Sequence, residues 1–214
     1  MIAKLYNTYG AMLGKAIVTH IVYVLISVSI GFLVGLVLGI LLSRMPKGSR
    51  ILMPILSVFQ TIPGLVFMGL LFLALGMVPG TVIIALAIYA MFPVLKNTYT
   101  GLMHVEDKYL EAARGCGMSS WQRLIRVELP LAMPSIIAGL RMAAVYTVSW
   151  AVLAAMIGLG GLGDFVYQGT ASNNHTLILL GAIPAALLAV IIGAIIDHLQ
   201  KKLTPRGLQK GVEK

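Results

Sequence analysis

The chain has 214 residues, of which 59% are hydrophobic and only 11% are charged, and its mean hydropathy is +0.95. Soluble domains carry about 25% charged residues, so this composition excludes a water-soluble domain and indicates an integral membrane protein. The charges fall in a few clusters between long apolar runs, which favours helical spans over the alternating segments of a membrane β-barrel. The net charge of +9 would suggest nucleic acid in a soluble protein, but in a membrane protein it first reports topology.

Three apolar spans are predicted in the first half of the chain. Residues 16–43 contain no Asp, Glu, Lys or Arg and are long enough to cross a bilayer, and no signal-peptide cleavage pattern precedes them. Residues 51–95 are also uncharged, and one helix of that length would measure about twice the hydrocarbon thickness. The turn-like segment 76–80 therefore predicts two spans, 53–75 and 80–96.

Two further spans and two polar segments are predicted in the second half. The polar loop 97–132 leads to a span at 133–158, and the polar stretch 159–176 leads to a span at 177–199. Fourteen of the 16 Lys and Arg residues fall on one side of these five spans. By the positive-inside rule the N-terminus is outside and the C-terminus is cytoplasmic, in an all-α polytopic bundle that forms one transmembrane domain over 1–214.

The cytoplasmic loop has the pattern of two short helices joined by a glycine corner. Asp107 is placed to cap the start of the first helix, and Gly117 is placed to end it. Ser119 and Gln122 have the spacing of a capping box for a second helix, which Pro130 is predicted to interrupt. Such an elbow suits docking in a groove of a soluble partner, but an amphipathic loop resting on lipid headgroups fits the same pattern.

Several residues of this loop match a known signature at fixed spacing. They are Glu111, Ala112, Ala113, Gly117, Val127, Leu129 and Pro130. Their spacing resembles the EAA motif of the membrane subunits of bacterial ABC importers, with Val127 where the motif has isoleucine. The resemblance implies an ABC type I importer permease fold, in which this loop is the coupling helix that docks on a cytoplasmic ATPase.

Further segments resemble one branch of that family, the osmoprotectant permeases. They are 60–64, 89–93, 97–101, 121–122 and 158–163. The resemblance implies import of glycine betaine, carnitine or choline across the bacterial cytoplasmic membrane. It also implies three partners: an ATPase dimer that binds ATP and Mg, an external or lipid-anchored substrate-binding protein, and a second permease copy, identical or related.

Two alternatives remain open. Methionine-type permeases share the five-span plan and the EAA motif, so competition for uptake between betaine and methionine is needed to separate them. A membrane scaffold would also need a docking loop, and a partner without ATPase activity would favour it. The sequence has no P-loop pattern and no metal-like spacing of its four histidines, so we expect neither enzymatic activity nor a cofactor in this chain. Because topology accounts for most of the basic excess, we also expect no nucleic-acid partner.

Polar, aromatic and helix-loosening residues within the apolar spans are the candidates for a translocation pathway. They are Gln60, Thr61, Pro63, Tyr89, Tyr146, Ser149 and Trp150. Aromatic faces attract quaternary ammonium groups, and prolines kink the helices that line a pathway. The same residue types also anchor helices at interfaces or fill cores, and that interpretation stays open for each position.

Three other features predict packing and partners. Gly31, Gly35 and Gly39 recur on one face of the first span and predict close helix packing, within the subunit first and in a dimer second. Arg141 is expected to anchor its span near the cytoplasmic end rather than to contact substrate. The segment 158–163 is predicted to face an external binding protein, although a plain connecting loop also fits.

Overall fold

The computed structural model describes residues 2–153, 155 and 158–203, without the side chains of 2–8 and 59. The elements, in chain order, are α1 (Ile2–Ser43), α2 (Pro46–Phe59), α3 (Gly64–Leu75), α4 (Pro79–Met103), α5 (Asp107–Gly115), α6 (Ser120–Arg123), a π segment (Leu124–Glu128), α7 (Leu129–Leu153), α8 (Gly163–Ala171) and α9 (His175–Leu203). Part of the predicted end of the span 133–158 and most of the basic tail lie outside the described residues.

Four stretches are long and apolar enough to cross a bilayer. They are Tyr9–Ser43, Pro79–Met103, Ser120–Leu153 and His175–Leu203. They contain the predicted spans 16–43, 80–96 and 177–199 and most of 133–158, so the prediction of an all-α membrane bundle is confirmed. The helices run beyond the predicted limits because backbone hydrogen bonding continues past the apolar zone, and α4 takes the first residues of the predicted loop 97–132.

The prediction that the second span is one continuous helix over 53–75 is wrong. The chain forms α2 and α3 there, separated at 60–63, and α3 has only 12 residues, a length of about 18 Å. Pro63 explains the break, because it has no N–H to donate and disfavours the helical conformation in the residue before it. A new helix therefore starts directly after Pro63.

Helices α1 and α4 lie side by side and run in the same direction. The Ser27 hydroxyl donates to the Ile83 carbonyl at 3.2 Å, and further along both helices Gly35 lies against Met91. A β-carbon on Gly35 would lie 2.6 Å from the Met91 carbonyl oxygen, so this approach requires glycine. The predicted glycine face is thus used for packing inside the subunit.

This parallel arrangement forces the chain to travel back between the two helices. Ser43 ends α1 and Pro79 begins α4, and the register set by Ser27 and Ile83 separates those ends by about 30 Å along the helix axis. The broken pair α2 and α3 makes this return. Its extent is comparable to the hydrocarbon thickness of a bilayer.

Helix α7 runs antiparallel to α4, since Gly101 approaches Ser135 whereas the earlier Pro93 approaches the later Gly139. Helix α9 packs on α7, and α8, which forms within the predicted polar stretch 159–176, packs on α9 as a helical hairpin. The directions of these helices determine which segments meet at each end of the bundle. The basic end comprises the C-terminal ends of α1, α4 and α9 together with α5 and α6, and the glycine-rich end comprises residues 76–80 and 158–163.

Apolar side chains fill the interior and also cover much of the outside. Val24, Met68, Leu86 and Val148, from α1, α3, α4 and α7, are each at most 1% exposed. In contrast, α9 directs large aliphatic residues outward, including Val190 at 68% exposure. An apolar exterior of this kind requires lipid or another apolar surface around it.

Candidate functional site

The glycine corner of the loop is a Schellman turn at the end of α5. Gly117 has a φ of +72°, its N–H donates to the Arg114 carbonyl at 2.9 Å, and the Met118 N–H donates to the Ala113 carbonyl at 3.1 Å. These bonds satisfy carbonyls that the helix end would leave free, and the positive φ favours glycine. A β-carbon at Gly117 would meet nothing within 4 Å, so backbone conformation rather than space selects the glycine.

The predicted capping box at the start of α6 is confirmed. The Gln122 N–H donates to the Ser119 hydroxyl at 3.3 Å, and the Ser119 N–H donates to the Gln122 side-chain oxygen at 2.9 Å. The two short helices expose aromatic rings: Trp121 is 69% and Tyr109 is 41% exposed. Together they form a folded elbow that presents aromatic side chains at the basic end, as a docking surface requires.

The prediction that Pro130 interrupts this helix is wrong. The chain forms a π turn just before it, in which the Leu129 N–H donates to the Leu124 carbonyl. In a regular α-helix the Pro130 ring would clash with the carbonyl four residues earlier, and the wider π turn accommodates it. As a result the helical rod from Ser120 to Leu153 leads from the elbow into the core of the bundle.

The signature residues occupy both arms of the elbow. Ala113 is buried, whereas Glu111, Ala112 and Gly117 are exposed. Val127 in the π segment and Leu129 and Pro130 at the start of α7 are half-buried, and α5 packs on the π segment. The elbow thus has one buried contact with the bundle and an exposed face that includes Glu111.

A buried carboxylate that the sequence analysis did not single out joins this elbow to α1. Glu128 is 3% exposed, and its two oxygens contact Arg44 at the end of α1 and the Arg123 Nε of α6, the latter at 2.9 Å. A buried carboxylate needs such compensation to remain charged. The sequence offers little signal for this, because Arg44 is close only in the folded chain.

Four of the seven pathway candidates come together. Gln60, Tyr89, Tyr146 and Trp150 line one cavity of about 420 Å³, together with Pro93 and Thr147. The rings of Tyr89 and Trp150 are stacked, with centroids 4.9 Å apart and planes at 16°. The sequence analysis did not name Thr147, which lies one helical turn before Trp150 on α7.

The remaining three candidates lie outside this cavity. The Thr61 hydroxyl donates to the Val58 carbonyl at 2.7 Å, within the break between α2 and α3. Pro63 directly precedes α3, and Ser149 is exposed. The break still serves the cavity, because the Tyr89 hydroxyl donates at 2.9 Å to the Ile62 carbonyl that the interrupted helix leaves free.

Arg141 and the glycine-rich segment are each tied to the bundle. Arg141 Nε lies 2.7 Å from Asp197 of α9, and both side chains are about half exposed, which fits the expected anchoring role. At the opposite end, the Tyr23 hydroxyl donates to the Leu159 carbonyl at 2.9 Å. Gly158, Gly160 and Gly161 all have positive φ, which holds this segment in a tight path over α1.

Known proteins resemble this chain over most of its length. Residues 31–208 match the model of the binding-protein-dependent transport system inner membrane component family. The carnitine transport permease OpuCB of Listeria monocytogenes is 40% identical over 196 residues, 91% of this chain and 89% of that protein. The choline transport system permease OpuBB of Bacillus subtilis is 38% identical over 209 residues, 98% of this chain and 96% of that protein.

A solved structure shares the fold. A chain of the MetNI methionine ABC transporter in an inward-facing conformation superposes with a TM-score of 0.84, covering 92% of this chain and 99% of that one at 21% identity. At this identity the likeness supports only the fold. Membership of the family rests on the family match, which covers residues 31–208. The chain is therefore a multi-pass membrane protein that belongs to the family of binding-protein-dependent transport system inner membrane components.

Proposed function

We propose that this chain is the permease subunit of an ATP-driven ABC importer for osmoprotectants such as glycine betaine, carnitine and choline. The observation that carries the proposal is the helical rod from Ser120 to Leu153, which joins the exposed elbow to the cavity. Trp150, near one end of the rod, lines the cavity, and Trp121, near the other, faces solvent. A force on the elbow would therefore reach the cavity through one continuous element.

The substrate class follows from the cavity and from the relatives. Stacked Tyr89 and Trp150 offer aromatic surface to a quaternary ammonium group, and Gln60 and Thr147 supply polar contacts. Relatives that share 38% to 40% of their residues with this chain are named as carnitine and choline permeases. Fold likeness to a methionine transporter at 21% identity does not favour methionine as the substrate.

In the proposed cycle, this chain transmits motion and a separate ATPase dimer binds ATP and Mg and hydrolyses the nucleotide. Closure of the ATPases would push the elbow, and the rod and its Glu128 contacts would carry the movement to α7 and α1. The cavity would then open to one side of the membrane at a time. A second permease copy would complete the pathway, and a substrate-binding protein would dock at the glycine-rich end.

The orientation follows from charge. Within residues 9–203 every Lys and Arg except Lys15 lies toward the basic end, so this end is cytoplasmic by the positive-inside rule and the N-terminus is outside the bacterial cell membrane. In this arrangement α2 and α3 together make the fifth crossing as a discontinuous element. Cys116, the single cysteine, is exposed on the elbow and offers a direct test.

A membrane-impermeant thiol reagent should label Cys116 in inside-out vesicles stripped of the ATPase and leave it unlabelled in whole cells. Cys116→Ser supplies the background. Labelling in whole cells would show that the orientation is the reverse of the proposed one, with the elbow on the side of the membrane that lacks ATP.

The function is tested by purifying the tagged chain in mild detergent, identifying its partners by mass spectrometry and reconstituting the complex in proteoliposomes. We expect an ATPase to co-purify and labelled glycine betaine to enter only with ATP, with competition from carnitine or choline and none from methionine. Competition by methionine would assign the chain to amino-acid import. A partner without ATPase activity would favour a scaffold.

A further inference from the structure

A second cavity lies at the glycine-rich end, apart from the aromatic cavity described above. It has a volume of about 500 Å³ and is bounded by the outer part of α1, by residues 158–161 and by α8. Its lining includes Lys15 and Thr19 of α1 and Asp164 and Gln168 of α8. Among the residues that the structure describes, none lines both cavities.

The two charged groups of this cavity have opposite sign and do not pair. Among the described residues, neither Lys15 nor Asp164 has an ion-pair partner within 4.0 Å. Asp164 is half-buried, and this burial raises the pKa of its carboxyl group. A β-carbon at Gly160 would make ordinary van der Waals contacts, at 3.8 Å each, with an Asp164 carboxylate oxygen and with Thr19 Cγ2, so this glycine lies beside the polar groups of the cavity. The cavity thus has a lysine and an acidic side chain in its lining that do not come within 4.0 Å of each other.

We propose that this cavity binds a small soluble zwitterion, with its ammonium group beside Asp164 and its carboxylate beside Lys15. A ligand with both charges would neutralise both groups at once, which neither a simple cation nor a simple anion can do. Thr19 and Gln168 add hydrogen-bonding groups, and Tyr9 adds an aromatic surface for the ammonium end. The choice of glycine betaine as the probe rests on the proposed function, but the pairing of charges does not.

The test is direct binding to the purified complex in nanodiscs, without substrate-binding protein, using labelled glycine betaine and labelled choline. Choline has the ammonium group but no carboxylate. Lys15→Gln should weaken glycine betaine binding by about tenfold and leave choline binding within about twofold, since only betaine loses a partner. Asp164→Asn should weaken both by about tenfold. Lys47→Gln, an exposed lysine at the basic end, is the matched control and should change neither.

The comparison of glycine betaine with choline in the Lys15→Gln variant tests the proposal even if Asp164→Asn impairs folding. Lys15 is exposed, so its replacement leaves the core unchanged. Equal effects of Lys15→Gln on both ligands, or no effect on either, would overturn the proposal. A zwitterionic phospholipid headgroup has the same chemistry, so the nanodiscs are made with phosphatidylglycerol alone or with added phosphatidylethanolamine. Phosphatidylethanolamine retained through Lys15 and Asp164, with no betaine bound in either lipid, would overturn it in favour of a lipid. ATP-driven uptake by the complete importer would still support the proposed function in that case.

Discussion

The ring of Trp150 lies directly over the α-carbon of Gly64, so close that a β-carbon at position 64 would come within 1.7 Å of Trp150 Cζ3. Gly64 is the first residue of α3 after the break at 60–63, and Trp150 stacks on Tyr89 in the aromatic cavity. The break between α2 and α3 thus supplies the surface against which the cavity's aromatic pair is held.

Replacing Gly64 with alanine should therefore displace Trp150 and disturb the aromatic pair. Overpacking of this kind costs about 1–3 kcal/mol, and we expect a lower thermal unfolding temperature of the purified complex together with reduced uptake. Gly69→Ala in the same helix is the control, because a β-carbon there would meet nothing within 4 Å. It should be neutral or slightly stabilising, by at most about 1 kcal/mol. Equal unfolding temperatures for the two variants would show that Trp150 moves aside freely.

Two substitutions at Tyr89 should separate its hydroxyl from its ring. Tyr89→Phe removes the hydrogen bond to the Ile62 carbonyl but keeps the stacked ring, so stability should fall by about 1 kcal/mol with KM for uptake nearly unchanged. Tyr89→Leu removes the aromatic surface, and KM should rise by about tenfold if the ring attracts the ammonium group. A KM that changes equally in both variants would argue that Tyr89 only maintains the break.

Glu128 should be far more important for stability than its position in a polar loop would suggest. Glu128→Gln leaves Arg44 and Arg123 without their shared partner, and because Arg44 is 40% exposed we expect a loss of about 1–3 kcal/mol rather than the larger cost of a fully buried pair. Combining it with Arg44→Gln should cost less than the sum of the two single changes.

Glu106→Gln is the control for that experiment, because its ion pair with Lys108 is more than half exposed on both sides and should contribute almost nothing. The thermal unfolding temperature of the complex in detergent is measured for all four variants. Additive effects of Glu128→Gln and Arg44→Gln would mean that the contact does not couple α1 to the elbow.

Some features set by local sequence were predicted correctly and others were missed, although Asp107, predicted to cap α5, lies one residue after its N-cap Glu106. The capping box of Ser119 and Gln122 and the glycine corner at Gly117 depend on neighbouring residues, so their patterns identified them. The break at 60–63 escaped because hydropathy averages over a window, and the residues on both sides are apolar. Pro130 was misjudged because a single proline is compatible with either a helix end or a π turn.

The candidate site shows the same division. Aromatic and polar residue types in apolar spans identified Gln60, Tyr89, Tyr146 and Trp150, and the structure brings these four together. Residue type alone did not separate them from Thr61 and Ser149, because which face of a helix meets a cavity depends on its neighbours in the bundle. The contact of Glu128 with Arg44 was likewise not predictable, because Arg44 reaches Glu128 only after α1 and α7 have packed.

The elbow itself is tested by a change that acts on backbone conformation alone. Gly117→Val forces a β-branched residue into a positive φ of 72°, at a cost of at least about 1–2 kcal/mol, although the space is open. We expect correct insertion and continued ATP hydrolysis, with uptake per ATP reduced by about tenfold because the two arms of the elbow lose their fixed angle. Gly115→Val introduces the same side chain two residues earlier at the end of α5, without a positive φ, and should transport normally. Uptake and ATP hydrolysis measured together in proteoliposomes give the ratio directly. Normal uptake by Gly117→Val would mean that the angle at Gly117 is not needed for coupling, and equal loss in both variants would assign the effect to the valine side chain.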